Sequence, residues 1–486
     1  MNNTSLQPAC VFEQFARINQ IPRPSKHEEQ MIAFLKEFGK ERNLETIVDE
    51  TGNVLIRKPA TPGFENRKTV ILQSHMDMVC EKLVDLDFDF KKDPIQTEID
   101  GEWLKAKGTT LGADDGIGCA IELAILDSND IQHGPIECVF TVDEETGLTG
   151  AEGMKPGFMT GDWLINLDSE DEGQIFVSCA GGMTTDAVFK FTKEQPVDGH
   201  FFMKISLKGL VGGHSGDDIN KKRANAIKVL TRFLYKMQEK TGDLRLAEFN
   251  AGKLHNAIPR DGIAIFSVPQ AEKENVRAAW NIFAEEVKEE FHVTEHNMQF
   301  EMESAEPQPV MQKETSERII RTLQAIDNGI FAMCQDEAIA WLVETSNNVA
   351  SVTTNEDHVK IVASQRSNVM SNLENQAATI KAVFQLAGAD VKQKDPYPAW
   401  KMNPDSKLTK LVVDTYKELF KKEPRVLGIH AGLECGLFSE RYPNIDMVSF
   451  GPTLRGVHSP DEKLHIPTVQ MVWDHLLAIL QQTPAK

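Results

Sequence analysis

The sequence contains no stretch of about 18 consecutive apolar residues, the length that a membrane-spanning helix requires. Its first residues, MNNTSLQPACVFEQF, have neither a basic start nor an apolar run long enough for a signal peptide. The seven cysteines are scattered and never form a CxxC pair, so we expect reduced, buried thiols in a cytoplasmic protein. Basic residues are also few: 52 Lys and Arg stand against 73 Asp and Glu. The resulting net charge of −21 argues against binding to nucleic acid or to an anionic membrane by bulk electrostatics.

The length of 486 residues exceeds what one hydrophobic core usually serves and predicts two or three domains. Residues 1–182 alternate helix and strand patterns, which favours an α/β domain with a mostly parallel sheet and flanking helices. Residues 183–397 combine alternating strands with long helices, as in an α+β domain, and residues 398–486 return to the first pattern. The sequence therefore predicts a catalytic α/β domain that is split by an inserted α+β domain.

Several local patterns predict individual features of the fold. Ser25 and Glu28 have the spacing of a capping box in front of a helical pattern. The segment ETIVDETGNVLIRKP indicates a hairpin around Thr51 and Asn53. Residues 394–400, KDPYPAW, are typical of a linker that leaves the inserted domain. Pro467 is expected near the first turn of the last helix.

Acidic residues and histidines follow five of the predicted strands. The segment VILQSHMDMVC ends a strand with His75 and Asp77, which the strand period of two places on one face. The other segments are GADDG with Asp114 and Asp115, DEETG with Glu144 and Glu145, NLDSE with Asp168, and GVHSPDE with His458. Any one of them is explained equally well by a solvated turn or a helix cap. Together, at the carboxyl ends of strands in an open α/β sheet, they predict a ligand-binding site.

Two histidines with several carboxylates form a mixed N/O ligand set that suits zinc, with cobalt or manganese as substitutes. Two metal ions need a bridging carboxylate, and a hydrolytic site keeps a place for water. With Asp114 as the bridge, His75 and Asp168 can hold one ion. Glu145 and His458 can then hold the other.

Two further carboxylates in the same segments suit catalysis rather than metal binding. Glu144, next to a ligand, points elsewhere along the backbone and could act as the general base for the attacking water. Asp77 could accept the other ring N–H of His75 and fix the tautomer of that ligand.

The motifs SHMDMV, GADDG, DEETG, NLDSE and GVHSPDE occur in the order and approximate spacing of the di-zinc metallopeptidases related to aminoacylase and glutamate carboxypeptidase. Over essentially its whole length, the chain most resembles the bacterial aminoacyl-histidine dipeptidases. The resemblance implies metal-dependent hydrolysis of dipeptides, with Xaa-His dipeptides such as carnosine among the substrates, and two Zn²⁺ ions. It implies the same five metal ligands, with Asp77 and Glu144 as the catalytic pair. It also implies a cis peptide bond between Asp114 and Asp115, where these enzymes commonly carry Asn at the second position.

The inserted domain resembles the lid of this family. His214, in GGHSG, matches a histidine that polarises the scissile carbonyl, often in the site of a neighbouring subunit. Asn256 and Arg366 resemble residues that hold the polar ends of the substrate, and the planar fork of arginine suits a free carboxylate. Glu434, in IHAGLECG, is expected to line the pocket. We expect a homodimer that acts on small peptides and binds neither nucleic acid nor membrane.

Two alternatives stay open at this point. The chain is also compatible with another amide hydrolase on the same di-metal site, such as a tripeptidase, an aminoacylase or a deacetylase. A non-catalytic relative that binds peptides or metal would not need the catalytic pair, and the presence of Glu144 and Asp77 speaks against it.

Overall fold

The computed structural model describes residues 6–486. Helices alternate with strands in the N-terminal and C-terminal parts of the chain. The α-helices are α1 (Ala9–Ile18), α2 (Glu29–Glu41), α3 (Ala113–Asp127), α4 (Thr149–Gly153), α5 (Ala226–Thr241), α6 (Lys273–Glu290), α7 (Lys313–Ala325), α8 (Met370–Leu386), α9 (Lys407–Phe420), α10 (Glu434–Arg441) and α11 (Ile466–Gln482). The strands are β1 (Glu45–Val48), β2 (Val54–Lys58), β3 (Val70–His75), β4 (Thr97–Asp100), β5 (Trp103–Ala106), β6 (Ile136–Thr141), β7 (Trp163–Asn166), β8 (Gln174–Cys179), β9 (Gly181–Lys190), β10 (Lys193–Glu194), β11 (His200–Lys208), β12 (Arg245–Ala251), β13 (Gly262–Pro269), β14 (Gln299–Ser304), β15 (Val310–Met311), β16 (Gly329–Met333), β17 (Val343–Thr354), β18 (His358–Ser367), β19 (Asp390–Tyr397), β20 (Arg425–Ile429), β21 (Asp446–Ser449), β22 (Leu454–Arg455) and β23 (Lys463–His465). None of the helices in this range is both long and apolar enough to cross a membrane.

The chain forms two compact units. The first comprises the described residues up to Ser178 together with Trp400–Gly428 and Leu433–Lys486, and the second comprises Cys179–Ala399 and Ile429–Gly432. The stretch 429–432 lies inside the segment predicted as the second part of the catalytic domain, yet it belongs to the second unit. The first five residues, part of the stretch predicted to lack a signal peptide, lie outside the described residues. The predicted domain boundaries and the lid role stay predictions.

The first unit contains an eight-stranded sheet in the order β1-β2-β6-β3-β7-β21-β8-β20. The four central strands β6, β3, β7 and β21 are parallel, whereas β2 pairs with β6, and β8 with β21, in antiparallel fashion. All residues of β3, β6 and β7 are buried, as expected for parallel strands that are covered on both faces. The carboxyl ends of the four central strands therefore meet at one edge of a well-buried sheet.

Two of the local predictions are confirmed and one is wrong. Strands β1 and β2 form the predicted antiparallel hairpin, and Pro467 occupies the first turn of α11. The capping box is wrong, because Glu28 stands at the N-cap of α2 without a side-chain cap bond. The hydroxyl of Ser25 donates instead to Asp77, 2.8 Å away, so a partner distant in sequence replaces the local one.

The second unit is built on a nine-stranded sheet in the order β14-β11-β13-β12-β17-β18-β9-β19, with β16 also paired to β17. The segment DINKKRANAIKVLTRFLYKMQEK, residues 218–240, is one of the predicted long helices, but helix α5 begins only at Ala226. The Asn225 side chain caps it by accepting from the N–H groups of residues 227 and 228. The predicted linker is wrong for residues 394–397, which form the end of β19. There, Tyr397 pairs with Gly182 on β9.

Candidate active site

The five predicted metal ligands converge beyond the carboxyl ends of the parallel strands of the first unit. One carboxylate oxygen of Asp114 lies 3.0 Å from Nε2 of His75, and its other oxygen lies 3.0 Å from Nε2 of His458. Asp168 Oδ1 lies 3.5 Å from the same nitrogen of His75. Glu145 Oε2 lies 3.0 Å from Nε2 of His458. Asp114 thus stands between two sets of ligand atoms, as a carboxylate shared by two ions would.

The sheet topology accounts for this convergence. His75 is the last residue of β3, and Asp168 lies two residues beyond the end of the adjacent parallel strand β7. Glu145 follows β6, the neighbour on the other side, and His458 follows β22 with a left-handed φ of 60°. Adjacent parallel strands deliver their following residues to one crevice, so residues far apart in sequence meet there.

Asp114, rather than Asp115, is the aspartate that faces both histidines. The Asp115 carboxylate accepts a hydrogen bond from the N–H of Gly118 at 3.1 Å and so caps the regular part of α3. Asp114 and Asp115 have non-helical dihedral angles, and the peptide bond between them is cis, as the resemblance implied. Burial raises the pKa of Asp115 well above its usual range, with Asp168 and Asp114 adding to the effect.

Glu462 holds the loop that carries Asp114, a role that the sequence analysis missed. Its buried carboxylate accepts hydrogen bonds from four successive backbone N–H groups, of residues 111–114, at 2.7 to 3.3 Å. A carboxylate that satisfies four donors fixes the backbone in front of α3 and so fixes the position of Asp114. Its position four residues after His458, in the same motif, was the available signal.

Arg23 is a second missed residue, and nothing in its local sequence indicated a role. It is 1% exposed, and its guanidinium donates to the backbone oxygens of Met76, Asp77 and Gly112. A Cβ atom at Gly112 would lie 2.5 Å from Nη2 of Arg23 and 2.9 Å from the sulfur of Met78, and the φ of this residue is +67°. Glycine is therefore needed for the arginine to join the end of β3 to the Asp114 loop.

Asp77 lies behind His75, although it does not make the predicted hydrogen bond. Its Oδ1 is 3.4 Å from Nδ1 of His75, a distance suited to an ion pair but outside hydrogen-bond geometry. It accepts instead from the N–H groups of Glu144 and Glu145 at 3.1 and 3.3 Å, and from the hydroxyl of Ser25. Although burial disfavours its charge, the contacts with His75 and the hydrogen bonds hold the pKa of Asp77 below its usual value.

Carboxylates outnumber histidines in the ligand cluster, and this shifts the pKa values of its members. Hydrogen bonds from Asp114 and Glu145 raise the pKa of His458 to about 11, and Asp114 has a pKa well below its usual range despite its burial. Burial disfavours a charged His75, yet the surrounding aspartates raise its pKa well above normal. Burial, with Asp168 adding to it, also raises the pKa of the neighbouring Glu144 carboxyl well above its usual range. Binding of divalent cations would relieve this excess of carboxylates and release the protons of the histidines.

The residues present fit a divalent metal. Two imidazoles with three carboxylates form the mixed donor set typical of zinc and related ions. Donor atoms of His75, Asp114 and Glu145 lie within 4.8 Å of one another. Oε1 of Glu145 is buried and has no hydrogen-bond partner among the described residues, as expected of an atom that would bind a metal ion.

Glu434 lies at the N-terminus of α10 and is 1% exposed. Its Oε2 accepts from the side-chain amide of Gln73 at 2.6 Å and from the hydroxyl of Thr141 at 2.9 Å. Burial raises the pKa of Glu434 to about 7. Its assignment to substrate binding stays a prediction.

The predicted lid residues of the second unit lie near one another. The N–H of Asp217 donates to Nδ1 of His214 at 3.2 Å, and Nε2 of His214 lies 3.3 Å from Nη2 of Arg366. The backbone oxygen of Asn256 accepts from the N–H of Ser215 at 2.8 Å, while Asn256 itself is exposed. The roles of the two ring nitrogens depend on the tautomer, because the bond from Asp217 uses Nδ1 as an acceptor and the contact with Arg366 uses Nε2 as one.

The chain is similar in sequence and in fold to known peptidases. A family model described as peptidase family M20/M25/M40 matches residues 71–482. The cytosol non-specific dipeptidase of Escherichia coli (strain K12) is 43% identical over 484 residues, which are 99% of each chain. The crystal structure of aminoacylhistidine dipeptidase from Vibrio alginolyticus superposes with a TM-score of 0.93 at 43% identity, covering 100% of this chain and 99% of that one. Aminopeptidase PepT from Bacillus cereus, with a TM-score of 0.58 at 18% identity over 98% and 99% of the two chains, shares the fold.

Proposed function

The chain belongs to peptidase family M20/M25/M40, and on that premise we propose that it hydrolyses the amide bond of dipeptides, with Xaa-His dipeptides such as carnosine among its substrates. The observation that carries this proposal is the position of Asp114 between His75 and His458, with 3.0 Å to each. Two similar proteins, each aligned over nearly the whole chain at 43% identity, bear the name of a dipeptidase.

Two Zn²⁺ ions would occupy the ligand cluster, one held by His75 and Asp168, the other by Glu145 and His458, with Asp114 shared. When bound, such ions polarise the scissile carbonyl and lower the pKa of a water molecule. Co²⁺ and Mn²⁺ accept similar donors and are the expected substitutes.

Glu144 is the residue that moves protons in this proposal. It is held in place by the bond from its N–H to Asp77, and it lies next to Glu145. Its carboxylate takes a proton from the attacking water and later gives it to the leaving amine, so that water and amide become a carboxylic acid and an amine. Burial, with neighbouring carboxylates adding to it, raises the pKa of Glu144 well above its usual range.

Residues of the second unit recognise the substrate in this proposal. His214, with its proton on Nε2, donates to the oxygen of the scissile carbonyl and stabilises the charge that develops there. Arg366 binds the free carboxylate of the dipeptide, and Asn256 lines the pocket together with Glu434, which belongs to the first unit. The second unit acts as a lid, and the protein is a cytoplasmic homodimer. Dimers with closed two-fold symmetry are the commonest oligomers of soluble proteins.

Metal analysis combined with a substrate panel tests the proposal. The purified protein is expected to contain two equivalents of zinc and to release amino acids from Xaa-His and Xaa-Leu dipeptides. A chelator should abolish the activity, and added Zn²⁺, Co²⁺ or Mn²⁺ should restore it. Hydrolysis only of tripeptides or of acylated amino acids would replace the dipeptidase assignment with another amide hydrolase. Metal binding without hydrolysis of any member of the panel would identify a non-catalytic relative.

A further inference from the structure

Arg366 is a buried cation without an anionic partner. Arg366 is 6% exposed, and its guanidinium donates hydrogen bonds to the hydroxyl oxygens of Tyr397, at 2.7 Å, and Ser215, at 3.3 Å. No carboxylate in residues 6–486 lies within ion-pair distance of it. A buried guanidinium that is hydrogen-bonded only to neutral groups is costly, and an anion that enters its pocket would relieve that cost.

His214 is a further neighbour of Arg366 in the same unit. Nε2 of His214 lies 3.3 Å from Nη2 of Arg366, so a ring nitrogen joins the two hydroxyls as a partner of the guanidinium. None of these three partners carries a negative charge, and an anion is the partner that the described residues do not supply.

Tyr397 provides a further donor at this place. Its oxygen accepts from Nη1 of Arg366, which leaves its own O–H available to donate, and the phenol makes no other hydrogen bond among the described residues. Burial raises the pKa of Tyr397, so the phenol keeps its proton at neutral pH. The residue as a whole is partly exposed.

The backbone around Tyr397 is shaped to hold its ring. Tyr397 pairs with Gly182 across strands β19 and β9, and a Cβ atom at Gly182 would collide with the ring. A Cβ atom at Gly432 would come within 2.9 Å of the ring from another segment. Two glycines therefore leave the space that fixes the orientation of the phenol beside Arg366.

We propose that Tyr397 is a specificity-determining residue that contacts the substrate: its O–H donates, together with Arg366, to the C-terminal carboxylate of the dipeptide. This inference rests on the proposed dipeptidase function and names a residue that recognises one end of its substrate. A planar guanidinium and a phenol can serve both oxygens of a carboxylate at once. A peptide amide presents only one acceptor oxygen and no charge, so the pair selects dipeptides with a free C-terminus.

The test compares Tyr397→Phe with the wild type on a dipeptide and on the corresponding dipeptide amide. Loss of a hydrogen bond to a charged group should raise KM for the dipeptide by about 10- to 100-fold, with kcat changed by less than about threefold. The amide lacks the carboxylate, so its kcat/KM, already low in the wild type, should be nearly the same in both proteins. Arg366→Ala should also raise KM for the dipeptide and not for the amide, and by a larger factor than Tyr397→Phe.

Tyr235→Phe is the matched control, because Tyr235 packs against the core of the same unit on helix α5. Tyr235→Phe should leave kcat and KM unchanged for both substrates. An equal loss of kcat/KM for the dipeptide and for the amide in Tyr397→Phe would mean that the phenol only supports the fold. An unchanged KM for the dipeptide would mean that the phenol does not touch the substrate. Either result overturns the inference while wild-type hydrolysis still supports the proposed function. A wild type that cleaves neither compound refutes the proposed function and this inference together.

Discussion

Asp77 accepts a hydrogen bond from the backbone N–H of Glu144 over 3.1 Å. Asp77 follows strand β3 and Glu144 follows the adjacent parallel strand β6, so this bond joins two neighbouring strand ends. The same carboxylate accepts from the N–H of Glu145 and lies 3.4 Å from Nδ1 of His75. One buried aspartate therefore positions the proposed base and lies beside two of the proposed ligands.

Replacing Asp77 by Asn should lower metal affinity or turnover by about 10- to 100-fold, the usual scale for a group that orients a metal ligand. The amide keeps the shape but loses the negative charge beside His75 and can no longer accept through both oxygens. Zinc content after dialysis and kcat should both be measured. Ser25→Ala, which removes one hydrogen bond to Asp77 and keeps its charge, should have a smaller effect. Equal effects of the two substitutions would show that the charge of Asp77 is unimportant.

Glu144→Ala should lower kcat by about 10²- to 10⁴-fold, the range expected for loss of a general base. Metal content should stay at the wild-type level, because the proposed ligand is its neighbour. Glu145→Ala is the paired comparison and should lose metal, since Glu145 contacts His458 at 3.0 Å. Near-normal turnover in Glu144→Ala would assign the proton transfer to another residue.

Glu462→Gln should weaken metal binding and lower the free energy of unfolding by about 1–3 kcal/mol. The glutamine amide would place donor hydrogens against backbone N–H groups that now point at a carboxylate. Chelator competition and chemical denaturation measure the two effects. The neighbouring Asp461 is exposed, so Asp461→Asn should change neither. If Glu462→Gln binds zinc as tightly as the wild type, the hydrogen bonds to the Asp114 loop are not what positions the metal ligand.

His214→Ala should lower kcat strongly while metal content and thermal stability stay unchanged. The reason is that His214 belongs to the second unit, whereas the proposed ligands belong to the first, and its proposed contribution is a hydrogen bond to the reacting carbonyl. His292→Ala, an exposed histidine of the same unit, serves as the control. Unchanged kinetics in His214→Ala would remove this residue from the mechanism.

Stability should fall as the pH decreases below about 6.5, partly because of His475. This histidine is 3% exposed on helix α11, with Nε2 2.8 Å from the backbone oxygen of Val412, and burial lowers its pKa to about 4. Since its folded-state pKa lies below its unfolded value, the unfolded chain binds more protons between these values. The stabilisation is complete above about pH 6.5 and is lost as the pH falls towards 4, by at most about 1.4 kcal/mol per pH unit.

Denaturant unfolding of the metal-free protein at pH 7 and pH 5 measures this dependence. His475→Gln should have a smaller pH slope, because glutamine can donate to Val412 without titrating. Some slope should remain, since burial also lowers the pKa of His430, to about 3. An exposed-site control, His292→Gln, should keep the full slope. A slope in His475→Gln equal to that of the wild type would contradict the assignment.

The sequence by itself determined the strands and the residues that follow them. Apolar runs such as VILQSH encode a buried strand through local periodicity, and β3 forms over Val70–His75 as that pattern predicts. The positions of Asp114, Glu145 and His458 in short motifs then indicated a common site, because parallel strands end at one edge of a sheet. These features depend on neighbours in sequence or on a general rule of topology, and one sequence is enough to read them.

Only the tertiary structure decided which partners hold these residues. Ser25 had the local spacing of a helix cap, yet it bonds to Asp77, 52 residues away. Glu462 reaches the N–H of Asp114 across 348 residues, and Tyr397, predicted in a linker, meets Arg366 beside strand β9. A buried carboxylate, hydroxyl or guanidinium must find hydrogen-bond partners wherever the packed chain provides them. That choice depends on how distant segments pack together, which local patterns do not encode.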